Sequence, residues 1–138
     1  LRYQRSSDNA KELADWLSTV DGLERVIYPG LKSHPQFEIA KKQQSTPTGE
    51  VIYGNMISID VGSLDARDKF LKKLEVFTLA ESLGGVQSLC CVPFDMTHAA
   101  VPVKAKLEMG INESLIRLSI GIEDIEDLRL DLQQALAK

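Results

Sequence analysis

Apolar positions recur along this chain with two periods, and the switches between them lay out its elements. Over residues 2–20, Ala10, Leu13, Ala14 and Leu17, joined by Trp16 and Val20, fall on one stripe of a helix that Asp21-Gly22 stops. Leu23 to Tyr28 reads as a short strand closed by Pro29-Gly30. Ser33-His34-Pro35 predicts the opening of a short helix through about Gln43, and Ser45 to Gly49 a loop. Asn55 to Val61 alternates as a strand does, with Met56, Ser58 and Asp60 on one side and Ile57, Ile59 and Val61 on the other. Ser63 is placed to cap a helix over 64–74 whose inner face would be Leu64, Phe70, Leu71 and Leu74. Val76 to Leu79 and Ser88 to Val92 read as extended pieces, and Pro102 starts a helix that stops near Gly110. From Leu115 the chain alternates again until Gly121. Asp124 with Asp127 then resembles an acidic capping box for a last helix striped by Ile125, Leu128, Leu132 and Leu136.

Strands mixed with helices, without a strict βαβ rhythm, predict an α+β fold. The expected form is a mostly antiparallel sheet with helices packed on one side. The 138 residues make one domain's worth, and 43% hydrophobic against 26% charged residues is enough to build a real core. A net charge of −4 provides no basic footprint for nucleic acid. No apolar run approaches the ~20 residues that span a bilayer, so no membrane role is expected. No signal peptide is recognised. Cys90 and Cys91 are adjacent and too strained to pair with each other. With Leu89 and Val92 beside them they read as strand core in a reducing, cytoplasmic compartment. Leu1-Arg2-Tyr3 falls inside the first helix with no cap, as expected of a piece cut from a longer protein.

The candidate chemistry centres on Arg117. It shares a strand face with Leu115 and Ser119, while Ile116, Leu118 and Ile120 take the other. Arg is almost never fully buried unless paired. A strand-held Arg is therefore a solvated side chain, half of an internal ion pair, or a planar fork offered to a carboxylate or phosphate. Ala80 to Val86, with Gly84-Gly85, is either a plain inter-strand turn or a loop presenting backbone N–H groups to an anion. Its spacing fits neither a dinucleotide-binding loop nor a P-loop. His98 reads as a hydrogen-bonded loop residue and His34 as turn structure. With only two histidines and no second ligand near either, no metal site is expected. No GxSxG signature and no catalytic carboxylate pair is present.

Taken in order, Val26 to Leu31 with Ser33-His34-Pro35, Phe77-Thr78-Leu79, Leu79 to Val86, Met96 to Ala99, Leu107 to Ile111 and Leu115 to Asp124 resemble one family. It is the C-terminal domain of the Cys/Met-metabolism pyridoxal-phosphate enzymes. The likeness covers essentially the whole chain and is greatest to the cystathionine γ-lyase branch, with cystathionine γ-synthase next. Gln87, where Glu is usual, and Cys90-Cys91 depart from the pattern.

The resemblance implies that residues 1–138 are the small C-terminal domain of a fold-type I, aspartate-aminotransferase-like enzyme. Arg117 would bind the α-carboxylate of an amino-acid substrate, and the backbone at Ser82 and Leu83 would complete that pocket. Glu81 would meet the distal amino group of cystathionine, and Thr97 would lie near the pocket wall. The cofactor would be pyridoxal 5'-phosphate, held by an absent N-terminal domain that carries the Schiff-base lysine. This stretch would then hold no catalytic and no cofactor-binding residue, and would be inactive alone. The whole enzyme would be a cytoplasmic homotetramer that cleaves cystathionine to cysteine, 2-oxobutanoate and ammonia. The alternatives are a γ-synthase, a methionine γ-lyase-type enzyme, or a free-standing binding module without catalysis.

Overall fold

The structure, a computed structural model, describes residues 1–137. In chain order the elements are α1 (Arg2–Leu17), β1 (Arg25–Ile27), α2 (Phe37–Gln43), β2 (Met56–Asp60), α3 (Leu64–Lys73), β3 (Thr78–Leu79), β4 (Leu89–Cys91), α4 (Val103–Glu108), β5 (Leu115–Ser119) and α5 (Ile125–Leu136). The strands form one sheet in the order β1-β2-β5-β4-β3. β1 with β2, β2 with β5 and β5 with β4 are antiparallel, whereas β3 with β4 is parallel. The α+β expectation holds, but a mostly antiparallel sheet is only part of the description: the sheet is mixed. The irregular segment 80–88 joins β3 to β4 where a two-residue hairpin would have made them antiparallel.

One face of the sheet is apolar because the strands alternate. Ile57 and Ile59 of β2, Ile116 and Leu118 of β5 and Cys90 of β4 meet Ala10, Leu13, Ala14 and Leu17 of α1, Phe70 of α3, and Leu128, Leu132 and Ala135 of α5. Ile57, Ile59, Ile116 and Leu118 retain 0% exposure, each burial contributing about 2 kcal/mol. The helix stripes read from the sequence are therefore the packed ones for α1 and α5.

In α3 the inner face differs from expectation. Leu64 is 47% exposed, and Arg67 is buried beside Phe70. Six residues separate Leu64 from Phe70, which turns Leu64 about 120° away around the helix. The Arg67 guanidinium donates to Asp95 at 2.7 Å, to the Glu113 carbonyl at 2.9 Å and to Asp68 at 2.9 Å. Ser63 caps α3 as expected, accepting from the Ala66 N–H at 3.1 Å. Asp124 caps α5 through the Glu126 N–H at 2.9 Å rather than as half of a reciprocal box with Asp127. The Ser33-His34-Pro35 segment is a run of turns, and α2 begins only at Phe37. There the His34 ring Nδ1 takes the Gln36 N–H at 3.1 Å, and the His34 carbonyl takes the Phe37 N–H at 3.0 Å.

The end of β2 is tied to the segment that leads into β5 by one carboxylate. Buried Asp60 accepts from Ser114 Oγ at 2.6 Å, Asn112 Nδ2 at 2.7 Å, the Gly62 N–H at 3.0 Å and Arg25 Nη2 at 3.0 Å. Burial works to raise its pKa, but Ser114, Asn112, Gly62 and Arg25 outweigh that and bring it down to about 2 from an ordinary 3.8. The folded chain thus takes up this proton at lower pH than the unfolded chain does. The contribution, about 2 kcal/mol, is full above the unfolded value and is lost as pH falls through about 2. Denaturant melts of the wild type and Asp60→Asn should therefore differ most near pH 6 and converge steadily below pH ~4. A gap that stays constant between those pH values would remove Asp60 from acid stability.

Candidate functional site

The other face of the sheet carries the candidate residues, and strand register aligns them in rows. Arg117 on β5 stands opposite Ser58 of β2 and Cys91 of β4, and Ile27 of β1 stands opposite Ser58. The next row joins Met56, Ser119 and Leu89. β5 lies in the middle of the sheet, so the strand that carries Arg117 is laddered to a neighbour on both sides.

Arg117 is half-buried, and its Nη2 is buried without any hydrogen-bond partner. None of the ion pairs among the described residues involves it. That excludes the internal-ion-pair reading of this residue. Cys91 does not supply the missing negative charge. Burial pushes its thiol pKa up, and the neighbouring Arg117 offsets this only in part, so the thiol stays neutral. The Cys90 thiol, on the core face, is pushed up to about 12 by burial. Both cysteines are buried and unbridged, Cys90 in the core as expected and Cys91 on the Arg117 face. A desolvated, unpartnered guanidinium nitrogen is costly to leave unmade, and a planar anion is its natural complement.

The segment carrying Glu81, Ser82 and Leu83 reaches this face through its neighbours. The Ala80 N–H donates to the Cys90 carbonyl at 2.8 Å, and the Gly84 N–H donates to Ser119 Oγ at 2.8 Å. Glu81 lies close enough to Cys91 for its charge to be felt there. Glu81, Ser82 and Leu83 themselves are exposed. Thr97 is not brought into the group by any bond. It is exposed in the run of turns after β4, and its hydroxyl shares a hydrogen bond with His98 Nδ1 at 2.9 Å. Ser119 shares a face with Arg117 in the sequence pattern, but its role as an acceptor for the glycine loop is visible only in the structure.

Elsewhere, a concavity of about 400 Å³ opens between α3, α5 and the turn at Asp21-Gly22-Leu23. None of Arg117, Glu81, Ser82, Leu83 or Thr97 lines it. Among the described residues no cluster of three or more His, Cys, Asp and Glu is placed to hold a metal ion. No described helix is long and apolar enough to cross a membrane.

The arrangement is an α+β domain whose central strand carries an arginine with a buried, unpartnered Nη2, beside a loop held to the same face by the bond from the Gly84 N–H to Ser119 Oγ. The chain belongs to the Cys/Met metabolism PLP-dependent enzyme family, whose model matches residues 1–137. It is 49% identical over its whole length to a cystathionine beta-lyase of Lactococcus lactis subsp. cremoris, of which it spans 35%. It is 48% identical to a cystathionine gamma-lyase of Dictyostelium discoideum, again over all of this chain and 34% of the relative. A crystal structure of cystathionine gamma synthase from Xanthomonas oryzae pv. oryzae, in complex with aminoacrylate and cysteine, superposes with a TM-score of 0.90 at 41% identity. That match covers 98% of this chain and 34% of the other. The chain thus spans about a third of the length of the relatives it matches. Relatives named β-lyase and γ-lyase stand equally near, so identity does not separate these activities.

The cofactor of the family is pyridoxal phosphate. Lys106, the lysine buried among the described residues, does not fit a covalent site for it. It donates to the Phe94 carbonyl at 2.7 Å and the Ala99 carbonyl at 3.4 Å, with its ammonium 4.2 Å from the centre of the Phe94 ring. Its amine is already committed to structure, so no step through the cofactor is assigned to this chain's residues.

Proposed function

We propose that residues 1–138 form the small domain of a pyridoxal-phosphate-dependent carbon–sulfur lyase acting on cystathionine, and that Arg117 receives the α-carboxylate of the substrate. The observation that carries this reading is the buried, unpartnered Nη2 of Arg117 on the central strand. A carboxylate there makes two parallel, charge-assisted hydrogen bonds and so fixes the amino-acid end of the substrate in place and orientation. The exposed backbone at Ser82 and Leu83 is available to a second carboxylate oxygen. Cofactor and Schiff-base lysine belong to an N-terminal domain of the same enzyme, and this chain alone is inactive. The enzyme is read as a cytoplasmic homotetramer.

The γ-lyase activity is the first reading. The whole enzyme incubated with cystathionine should release cysteine, 2-oxobutanoate and ammonia. The β-lyase reading is supported by the 49% identity to a relative of that name, and homocysteine with pyruvate would establish it instead. No cleavage at all would leave γ-synthase or a non-catalytic binding module.

Glu81 is the proposed specificity residue, exposed on the loop that Ser119 holds. Glu81→Ala should lower kcat/KM about tenfold for cystathionine, the worth of one charge-assisted hydrogen bond to a distal ammonium. Substrates that lack the distal ammonium should be unaffected. An equal loss on both would take Glu81 out of the specificity argument.

A further inference from the structure

The segment 81–87 makes no backbone hydrogen bond within itself; its shape is imposed from outside by the end of β5 and the turn into α5. Ser119, 2% exposed, takes the Gly84 N–H at 2.8 Å. Gly84 has φ of +72°, a conformation that turns its N–H toward the sheet at no steric cost to glycine. The Ile122 N–H donates to the Val86 carbonyl at 2.9 Å. Glu123 then clamps the exit of the loop: it accepts from the Ser88 N–H at 2.6 Å and the Ser88 hydroxyl at 2.9 Å. Ser88 Oγ in turn takes the Gly121 N–H at 2.9 Å. Asn9 of α1 locks the turn by donating to the Gly121 and Glu123 carbonyls at 3.2 and 3.0 Å. The loop lies so close that a Cβ at Gly121 would stand 2.3 Å from the Val86 carbonyl oxygen.

Ser119 is two residues from Arg117 on the same strand face, about 7 Å along the chain. We infer that Ser119, backed by the Glu123–Ser88 clamp, is a positioning residue that sets the 82–86 backbone in register with the Arg117 guanidinium, so that a single strand places both halves of the carboxylate site. This rests on Arg117 being the carboxylate receiver. Ser119 does not touch the substrate. It acts by keeping the Ser82 and Leu83 backbone at a fixed height over the fork, and its loss lets the loop drift while the fork stays.

The test is steady-state kinetics on the whole enzyme with three variants. Ser119→Ala should raise KM for the amino-acid substrate about tenfold, with kcat within about twofold of wild type, as loss of ground-state and transition-state binding alike requires. Glu123→Gln, which keeps one acceptor for Ser88, should raise KM by a smaller factor and folds even if Ser119→Ala does not. Arg117→Ala run in parallel separates the two ideas. If Arg117→Ala leaves KM unchanged, the carboxylate reading itself is wrong. If Arg117→Ala raises KM but neither Ser119→Ala nor Glu123→Gln does, the carboxylate reading stands and the positioning role is overturned. In the double variant the Ser119 effect should vanish, because the loop then has no fork to serve; a full additive loss would mark Ser119 as merely structural.

Discussion

Arg117→Ala in the whole enzyme is expected to lower kcat/KM for its amino-acid substrate by a factor of about 30 to several thousand. The range follows from the 2–5 kcal/mol typical of truncating one member of a desolvated, hydrogen-bonded charge pair. In the wild type the carboxylate exchanges water for a fork whose Nη2 is already buried and unsatisfied, so little is lost on the protein side. In the variant the carboxylate must be desolvated against Ala and neutral Cys91. Arg117→Lys should fall between, because a lysine keeps the charge but not the fork. The fold should survive either change, since Arg117 makes no ion pair among the described residues and the core lies on the other sheet face. Circular dichroism and thermal melts should show wild-type structure alongside the kinetic loss.

The largest expected effect on stability is at Asp131. Its carboxylate, 5% exposed on α5, accepts from the Glu75 N–H at 2.8 Å, the Val76 N–H at 2.9 Å and the Phe77 N–H at 3.0 Å. Burial works to raise its pKa, but these backbone donors outweigh it and hold the carboxyl below the usual range. The segment they belong to carries the chain out of α3 into β3. Asp131→Ala leaves three backbone donors without their acceptor and should cost about 3–5 kcal/mol, at roughly 1–3 kcal/mol for each donor left buried and discounting those that reach water. For a domain of this size that is a fall of about 10 °C or more in melting temperature. Because β3 leads into the 80–88 segment, the loss should also loosen the Glu81 to Leu83 backbone. Hydrogen exchange at Phe77 to Ala80 should quicken before the helices melt. A variant within a degree or two of wild type would show that water replaces the carboxylate and that the cap contributes little.

The elements were legible where one period governed a stretch. Ile57 and Ile59 in β2, Ile116 and Leu118 in β5, and the stripes of α1 and α5 all pack as their spacing predicts. The pairing of Arg117 with Ser119 on one face was legible for the same reason. What stayed hidden depends on partners far away in the chain. Arg67 is buried where Asp95 and the Glu113 carbonyl, 28 and 46 residues further along the chain, come to it, and the helix stripe gives no sign of that. Asp131 looks like an ordinary acidic residue of a helix until residues 75–77 are placed over it. The direction of β3 was likewise unreadable, because two residues carry no pattern and the 80–88 loop that returns the chain is strapped to β5 and the turn before α5 by residues far along the chain. The ordered motifs pointed to the family, and the family match over residues 1–137 bears that out. Thr97 was read from motif alone, and the bond its hydroxyl shares with His98 is a local one that the pattern did not show.

The most direct test of Arg117 as the carboxylate receiver is a two-by-two comparison of kcat/KM. It sets the wild type against Arg117→Ala, each with an amino-acid substrate and with the same substrate carrying a carboxamide at the reacting end. Arg117 as the receiver predicts that the amide costs the wild-type enzyme at least about 30-fold and costs the variant almost nothing, because the interaction is already gone. An equal loss on the amide in both enzymes would contradict it, and would place the carboxylate on some other group.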